Sequence, residues 1–231
     1  MRISNKNLRK LIEDDGYYQV SLILRSKDFE NGMPDFIEKN KKEYLIKYWL
    51  INTYKVLCDK LPLMIKYADL LNGRLYLSLN KMSFKKTCSN MINYITELLT
   101  LYNGTNDHEL VKRLYRMPSS LTRKDISAEP KSRRWLLDID DCQDIEKIKN
   151  DIMQASQKYE SVNTNGIHVY TKEFLDNNII FNPTVTGTHV IGYIRDKDYT
   201  VDTIVLSQIA KDLNYDLKFN ASTLLYKNEN N

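Results

Sequence analysis

Trp135-Leu136-Leu137-Asp138-Ile139-Asp140 decides how this chain is read. Extended as a strand, it sets Asp138 and Asp140 on one face and Leu137 and Ile139 on the other. Paired carboxylates on one face repel unless a cation or hydrogen-bond donors offset them, so the pair points to a divalent ion held by oxygen ligands. The competing reading is a strand that runs out into a turn, because Asp141 and Asp144 follow and Asp commonly caps helices.

The same two-residue alternation recurs along the chain. Residues 165 to 172 set His168, Tyr170 and Lys172 against Ile167, Val169 and Thr171, and residues 215 to 220 set Asp216, Lys218 and Asn220 against Leu217 and Phe219. Arg74, Tyr76, Ser78 and Asn80 alternate with Leu75, Leu77 and Leu79, and Arg25 and Lys27 have the opposite parity to Val20, Leu22 and Leu24. Five strands of this kind predict one sheet in an α+β chain, its apolar face under helices and its open face carrying Asp, His, Lys, Arg and Asn. Polar faces of antiparallel sheets are common for bland reasons. Carboxylates with a His and several cations are nevertheless what metal-assisted chemistry on phosphates requires.

A chain of 231 residues has ample material for a core, and one domain over 1–231 is expected, with a helical insertion at about 41–71 and 83–116 and a catalytic half at about 132–226. The net charge of +4, from 34 basic and 30 acidic residues, permits nucleic-acid binding without demanding it. Three widely spaced cysteines without a Cys-x-x-Cys pair support neither a disulfide framework nor a structural zinc site, and so predict a reducing, cytoplasmic setting. The opening MRISNKNLRK lacks the apolar run of a signal peptide, and no stretch reaches the roughly 18 apolar residues of a membrane span. Abundant Lys, Asn, Ile and Tyr with scarce Ala and Gly hint at an AT-rich genome.

Helical spacing predicts a helix from Glu43 to Leu61 that stops before Pro62, a short continuation from Ile65 to Leu71, and a longer helix after an N-cap at Ser83. Asp107 to Arg116 reads as a further helix, Met117 to Arg134 as a mobile basic loop, Asp144 to Tyr159 and Thr203 to Leu213 as helices, and the polar end from Lys227 as frayed. A crossover through Asp144 to Tyr159 brings Asp140 and His168 into one sheet. Short strands are expected at Ile179 to Phe181 and His189 to Ile194, where His189 reads as structural or surface.

With these residues in view, the chain resembles the archaeo-eukaryotic primase superfamily, which includes primase-polymerases and the polymerase domain of bacterial end-joining ligases, and it is similar in layout to small phage proteins. The family pattern has a strand with two Asp residues alternating with apolar ones, then a strand with a small residue and a His, then a third acidic residue. It is matched by Leu137-Asp138-Ile139-Asp140, by Asn165-Gly166-Ile167-His168-Val169-Tyr170 and by Tyr215-Asp216-Leu217, with Gly166 where the family usually has Ser. The resemblance spans about residues 74 to 226 and implies an RRM-like, primase-type mixed β-sheet with helices on one face and an open polar face.

It also implies Asp138, Asp140 and Asp216 as catalytic ligands of Mg2+ or Mn2+, with Asp202 as the other candidate for the third position, and His168 as a contact to a nucleoside triphosphate. Asn165 lies in the same motif. Lys172, Arg74 and Lys218 are supporting cations on chemical grounds. The expected partners are the triphosphate, a DNA or RNA strand and a helicase or other replication protein, with no membrane; the expected place is the cytoplasm, the host's if the chain is phage-encoded. The leading expectation is a metal-dependent nucleotidyltransferase of primase or polymerase type. The alternatives are a metal-dependent nuclease, in which the same carboxylates serve hydrolysis, and a non-catalytic nucleic-acid-binding module in which Tyr76 and Tyr170 stack bases. Replacing Asp138 and Asp140 by Ala is expected to hold or raise the melting temperature by relieving repulsion.

Overall fold

The computed structural model describes residues 2–13, 16–30, 33–35, 37, 41–102, 108–121, 133–159, 170–194 and 200–228. Its first sheet grows from the strand β1, Tyr18–Arg25, in which Tyr18, Val20, Leu22 and Leu24 are fully buried on one face while Gln19, Ser21 and Arg25 take the other. β2 (Glu43–Ile51) and β3 (Arg74–Ser78) pair antiparallel on either side of β1, and β8 (Ser222–Lys227) pairs with β3. The second sheet holds β4 (Arg134–Ile139) between β6 (Thr188–Tyr193) and β7 (Asp216–Lys218), with β5 (Ile180–Pro183) beyond β6, again all antiparallel. Among the described residues the chain is therefore α+β, with seven α-helices and two four-stranded antiparallel sheets.

Two sheets replace the single one expected from parity. Alternation reports which side of a strand is buried but not which neighbour it pairs with. One core joins the first sheet to α1 (Asn5–Leu11) and α2 (Tyr54–Leu70), and a second joins Trp135, Leu137 and Ile139 to α5 (Ile145–Gln157), α6 (Lys172–Asn178) and α7 (Thr200–Leu213). Leu136, Ile180 and Ile191, on the opposite face of the second sheet, enter the first core and so hold the sheets together. Buried Arg134 anchors the start of β4 by donating to the carbonyl oxygens of Leu11 and Leu79 at 2.6 and 2.8 Å.

The helix expected from Glu43 to Leu61 is a strand and then a helix. The aromatic and branched run Tyr44-Leu45-Ile46-Lys47-Tyr48-Trp49-Leu50-Ile51 favours a pleated surface and finds it against β1. Thr53 then caps α2, which runs through Pro62 because Leu57, Leu61, Met64 and Ala68 bury one continuous stripe. That packing outweighs the roughly 3 kcal/mol that an interior proline costs. The expected caps at Ser83, on α3 (Phe84–Leu101), and at Asp144, on α5, are both present. α4 is His108–Leu121, and Lys227 is buried in β8 rather than frayed.

The expected strand at 165 to 172 does not survive where it is described. Thr171 caps α6, which starts at Lys172, and Tyr170 packs edge-on against Trp135 in the helix-side core, their ring centroids 6.3 Å apart. Asn165 and His168 lie outside the described residues.

Candidate active site

Cross-strand register builds the site. Asn182 on β5 is opposite His189 on β6, His189 is opposite Asp138 on β4, and Asp138 is opposite Asp216 on β7. One polar row thus crosses all four strands of the second sheet. The adjacent row, Ile180, Ile191, Leu136 and Lys218, is apolar until its last member. The sheet face is therefore core at one end and site at the other. Asp140 lies one residue beyond β4 on the same parity, exposed, and Asp141 turns the chain with φ of 57°, which Asp tolerates better than most residues.

This face looks into a cavity of about 620 Å³ whose opposite wall is the polar face of the first sheet, including Gln19, Ser21, Arg25, Arg74, Tyr76 and Ser78. Asp138, Asp140, His189, Asp216 and Lys218 all line it. The volume falls within the range that holds small ligands, roughly 300–1,000 Å³.

Lys218 places its ammonium between two carboxylates, 2.7 Å from Asp138 Oδ2 and 3.0 Å from Asp216 Oδ2. His189 Nε2 stands 3.3 Å from Asp138 Oδ1. The His189 hydrogen bond above all, and then Lys218, hold the Asp138 carboxyl well below the usual carboxylate range against the upward push of partial burial. Burial pulls the Lys218 ammonium down, but its bonds to Asp138 and Asp216 outweigh this and raise it. Because the Asp138 carboxyl is depressed in the folded chain, the stability it adds is complete above its unfolded value of roughly 3.9 and is lost as pH falls through the folded one. Asp138→Asn is expected to flatten the acid side of a melting-temperature profile below about pH 4.

The Asp138 and Asp216 carboxylates already hold a cation, the Lys218 ammonium. Oxygen donors around a positive centre fit Mg2+ or Mn2+. Among the described residues no three His, Cys, Asp or Glu side chains are gathered closely enough to ligate a metal as they stand.

The supporting cations separate. Lys218 is in the row. Arg74 lines the cavity, but its guanidinium is spent on Asp28, Nε donating to Oδ2 at 2.7 Å, with both side chains only 6% exposed. It serves as a structural pair: Arg74→Ala should cost about 3–5 kcal/mol in a denaturant titration by stranding the Asp28 charge. A selective loss of nucleotide binding at unchanged stability would contradict that. Lys172 is 66% exposed on α6, near Glu146 at 3.8 Å, and is not among the cavity residues. Asp202 falls in α7, with its side chain outside the described residues.

His189 is the residue that sequence reading passed over. Its signal was present, because Gly187-Thr188-His189 repeats the small-residue-x-His spacing of Gly166-Ile167-His168. Gly187 is held to its identity by close approach: a Cβ there would lie 1.9 Å from the carbonyl oxygen of Ile139, at the end of the strand that carries Asp138.

Comparison of the chain with protein-family models, curated proteins and solved structures finds no match. No helix among the described residues is long and apolar enough to cross a membrane.

Proposed function

We propose that this chain is a metal-dependent nucleotidyltransferase of primase-polymerase type, adding nucleotides from a nucleoside triphosphate to a DNA or RNA strand. The observation that carries the reading is the row Asn182, His189, Asp138 and Asp216, whose last three members face a nucleotide-sized cavity with Arg25 and Lys27 among its other lining groups. In this reading the second sheet is the primase-type, RRM-like element. Its carboxylate strand is flanked by the His strand on one side and the third acidic residue on the other, the motif order that the resemblance implies once His189 takes the part first given to His168.

Asp138, Asp140 and Asp216 would hold Mg2+ or Mn2+, which supplies positive charge to the transferring phosphoryl group. The chain's own groups do the rest. His189 presents Nε2 beside Asp138 as a donor for a phosphate oxygen, and Lys218, when released from the carboxylates, remains a cation within reach of the same oxygens. Arg25, held by Glu43 at 2.7 Å and by the Tyr76 hydroxyl at 3.3 Å, offers a positioned charge on the facing wall.

The test is incubation with Mn2+, a primed template and labelled triphosphates. Elongation with one pyrophosphate released per nucleotide added is the expected result. Strand shortening without triphosphate consumption would replace the reading with a nuclease, and metal-independent strand binding without turnover would replace it with a binding module.

A further inference from the structure

We propose that Thr223 and Asn182 are positioning residues that hold His189 as the Nε2–H tautomer, with that proton aimed at Asp138 and the cavity. Asn182 Nδ2 lies 2.8 Å from the Leu224 carbonyl oxygen, which can only accept, so this atom of the amide is its nitrogen. Its second hydrogen goes to Thr223 Oγ1, also at 2.8 Å. The single hydroxyl proton of Thr223 is then left for His189 Nδ1 at 3.0 Å. A ring nitrogen that accepts carries no proton, so the proton of the neutral ring is on Nε2, 3.3 Å from Asp138 Oδ1.

Burial makes the chain directional. Thr223 is fully buried, and Asn182 and His189 are 2% and 8% exposed, so water is a poor substitute for any of these partners. The opposite tautomer would set Nδ1–H against a hydroxyl whose own proton then has no acceptor on the ring, a loss of roughly 1–3 kcal/mol at a buried site. Thr223 is on the first sheet while Asn182, His189 and Asp138 are on the second, so the His189 ring is aimed by the docking of the two sheets. An Nε2–H donor beside a carboxylate suits an anionic group entering the cavity. This last step rests on the nucleotidyltransferase reading; the tautomer does not.

The measurement is two-bond proton–nitrogen correlation of the 231-residue chain labelled at its three histidines, with His189→Gln identifying the His189 signals. Wild-type His189 should show the Nε2–H pattern; the Nδ1–H pattern there overturns the proposal with no need of the variants that follow. Thr223→Val, which keeps shape and removes the hydroxyl, should convert the signals to a tautomer mixture, and Thr223→Ser should restore them. An unchanged His189 spectrum in Thr223→Val also overturns it. With the triphosphate as varied substrate, Thr223→Val should raise KM about tenfold with kcat little changed, and Thr223→Ser should recover it. A tautomer shift on Thr223→Val, in a protein whose wild-type chain shows the Nε2–H pattern but no triphosphate turnover, would retain the positioning network and remove the nucleotidyltransferase reading.

Discussion

Asp138→Asn is expected to lower triphosphate-dependent elongation by about 10³-fold or more and also to lower the melting temperature. Both follow from its place in the row. Asp138 is opposite His189 on one side and Asp216 on the other, so no neighbouring carboxylate can take over its position between them. Loss of one preorganised electrostatic group at a phosphoryl-transfer site is worth about 10²–10³ in rate, and loss of a shared metal ligand adds to that. Relief of repulsion, the sequence-based reason for a steady or rising melting temperature, does not operate at Asp138. Lys218 at 2.7 Å and His189 at 3.3 Å already satisfy the carboxylate, and removing its charge takes from the ammonium one of its two carboxylates and from the buried imidazole the acceptor at Nε2. Asp140 is different, because it is exposed beyond the end of β4. Asp140→Asn should lose activity at an unchanged melting temperature. Circular dichroism melts beside primer-extension assays separate the two, and equal melting temperatures for both variants would mean that the Asp138 contacts add nothing to the fold.

The carboxylate strand was legible because its signal is local. Leu137 and Ile139 had to face a core, which fixed the parity of Asp138 and Asp140, and the same logic put Lys218 on the side of Asp216. The histidine was not legible in that way. The sequence matched Gly166 to His168 to the motif and left His189 as structural or surface; His168 lies outside the described residues, and it is the pairing of β6 with β4, which alternation does not report, that brings His189 beside Asp138. Parity also failed at Tyr170, whose hydroxyl suggested a polar face but whose ring is worth more packed against Trp135 and Phe174. Arg74 shows the same gap from another direction: its parity was right, yet its charge is used by Asp28, the last residue of a 3-10 turn, 46 positions away. Sequence can assign a side chain to a face; it cannot say which partner claims it first.

Lys218→Met should bind Mn2+ more tightly than the wild-type chain, by about tenfold, or roughly 1.4 kcal/mol. The ammonium bridges Asp138 and Asp216 at 2.7 and 3.0 Å, and a divalent ion that uses both carboxylates must displace it. In the variant that competition is gone. The same substitution leaves two carboxylates opposite each other on adjacent strands with nothing between them, and like charges so placed are destabilising. The melting temperature of Lys218→Met should therefore fall in the presence of a chelator and recover on adding Mn2+ by more than the wild type gains, since binding to the folded chain stabilises it in proportion to affinity. Asp216→Asn should do the reverse: it removes a ligand, weakens Mn2+ binding in calorimetry and shrinks the Mn2+-dependent rise in melting temperature, whereas Asp202→Asn should change neither. Activity adds the discriminating result, because a lysine that only guards the site would leave Lys218→Met faster at low Mn2+, while a lysine that also meets the phosphates leaves it slower at every Mn2+ concentration. The second outcome is expected, because once displaced the ammonium is still tethered beside the carboxylates at which the phosphate charge would be handled. Weaker Mn2+ binding in Lys218→Met would show that the ammonium and the ion occupy different places, and would move the metal away from the Asp138 and Asp216 pair.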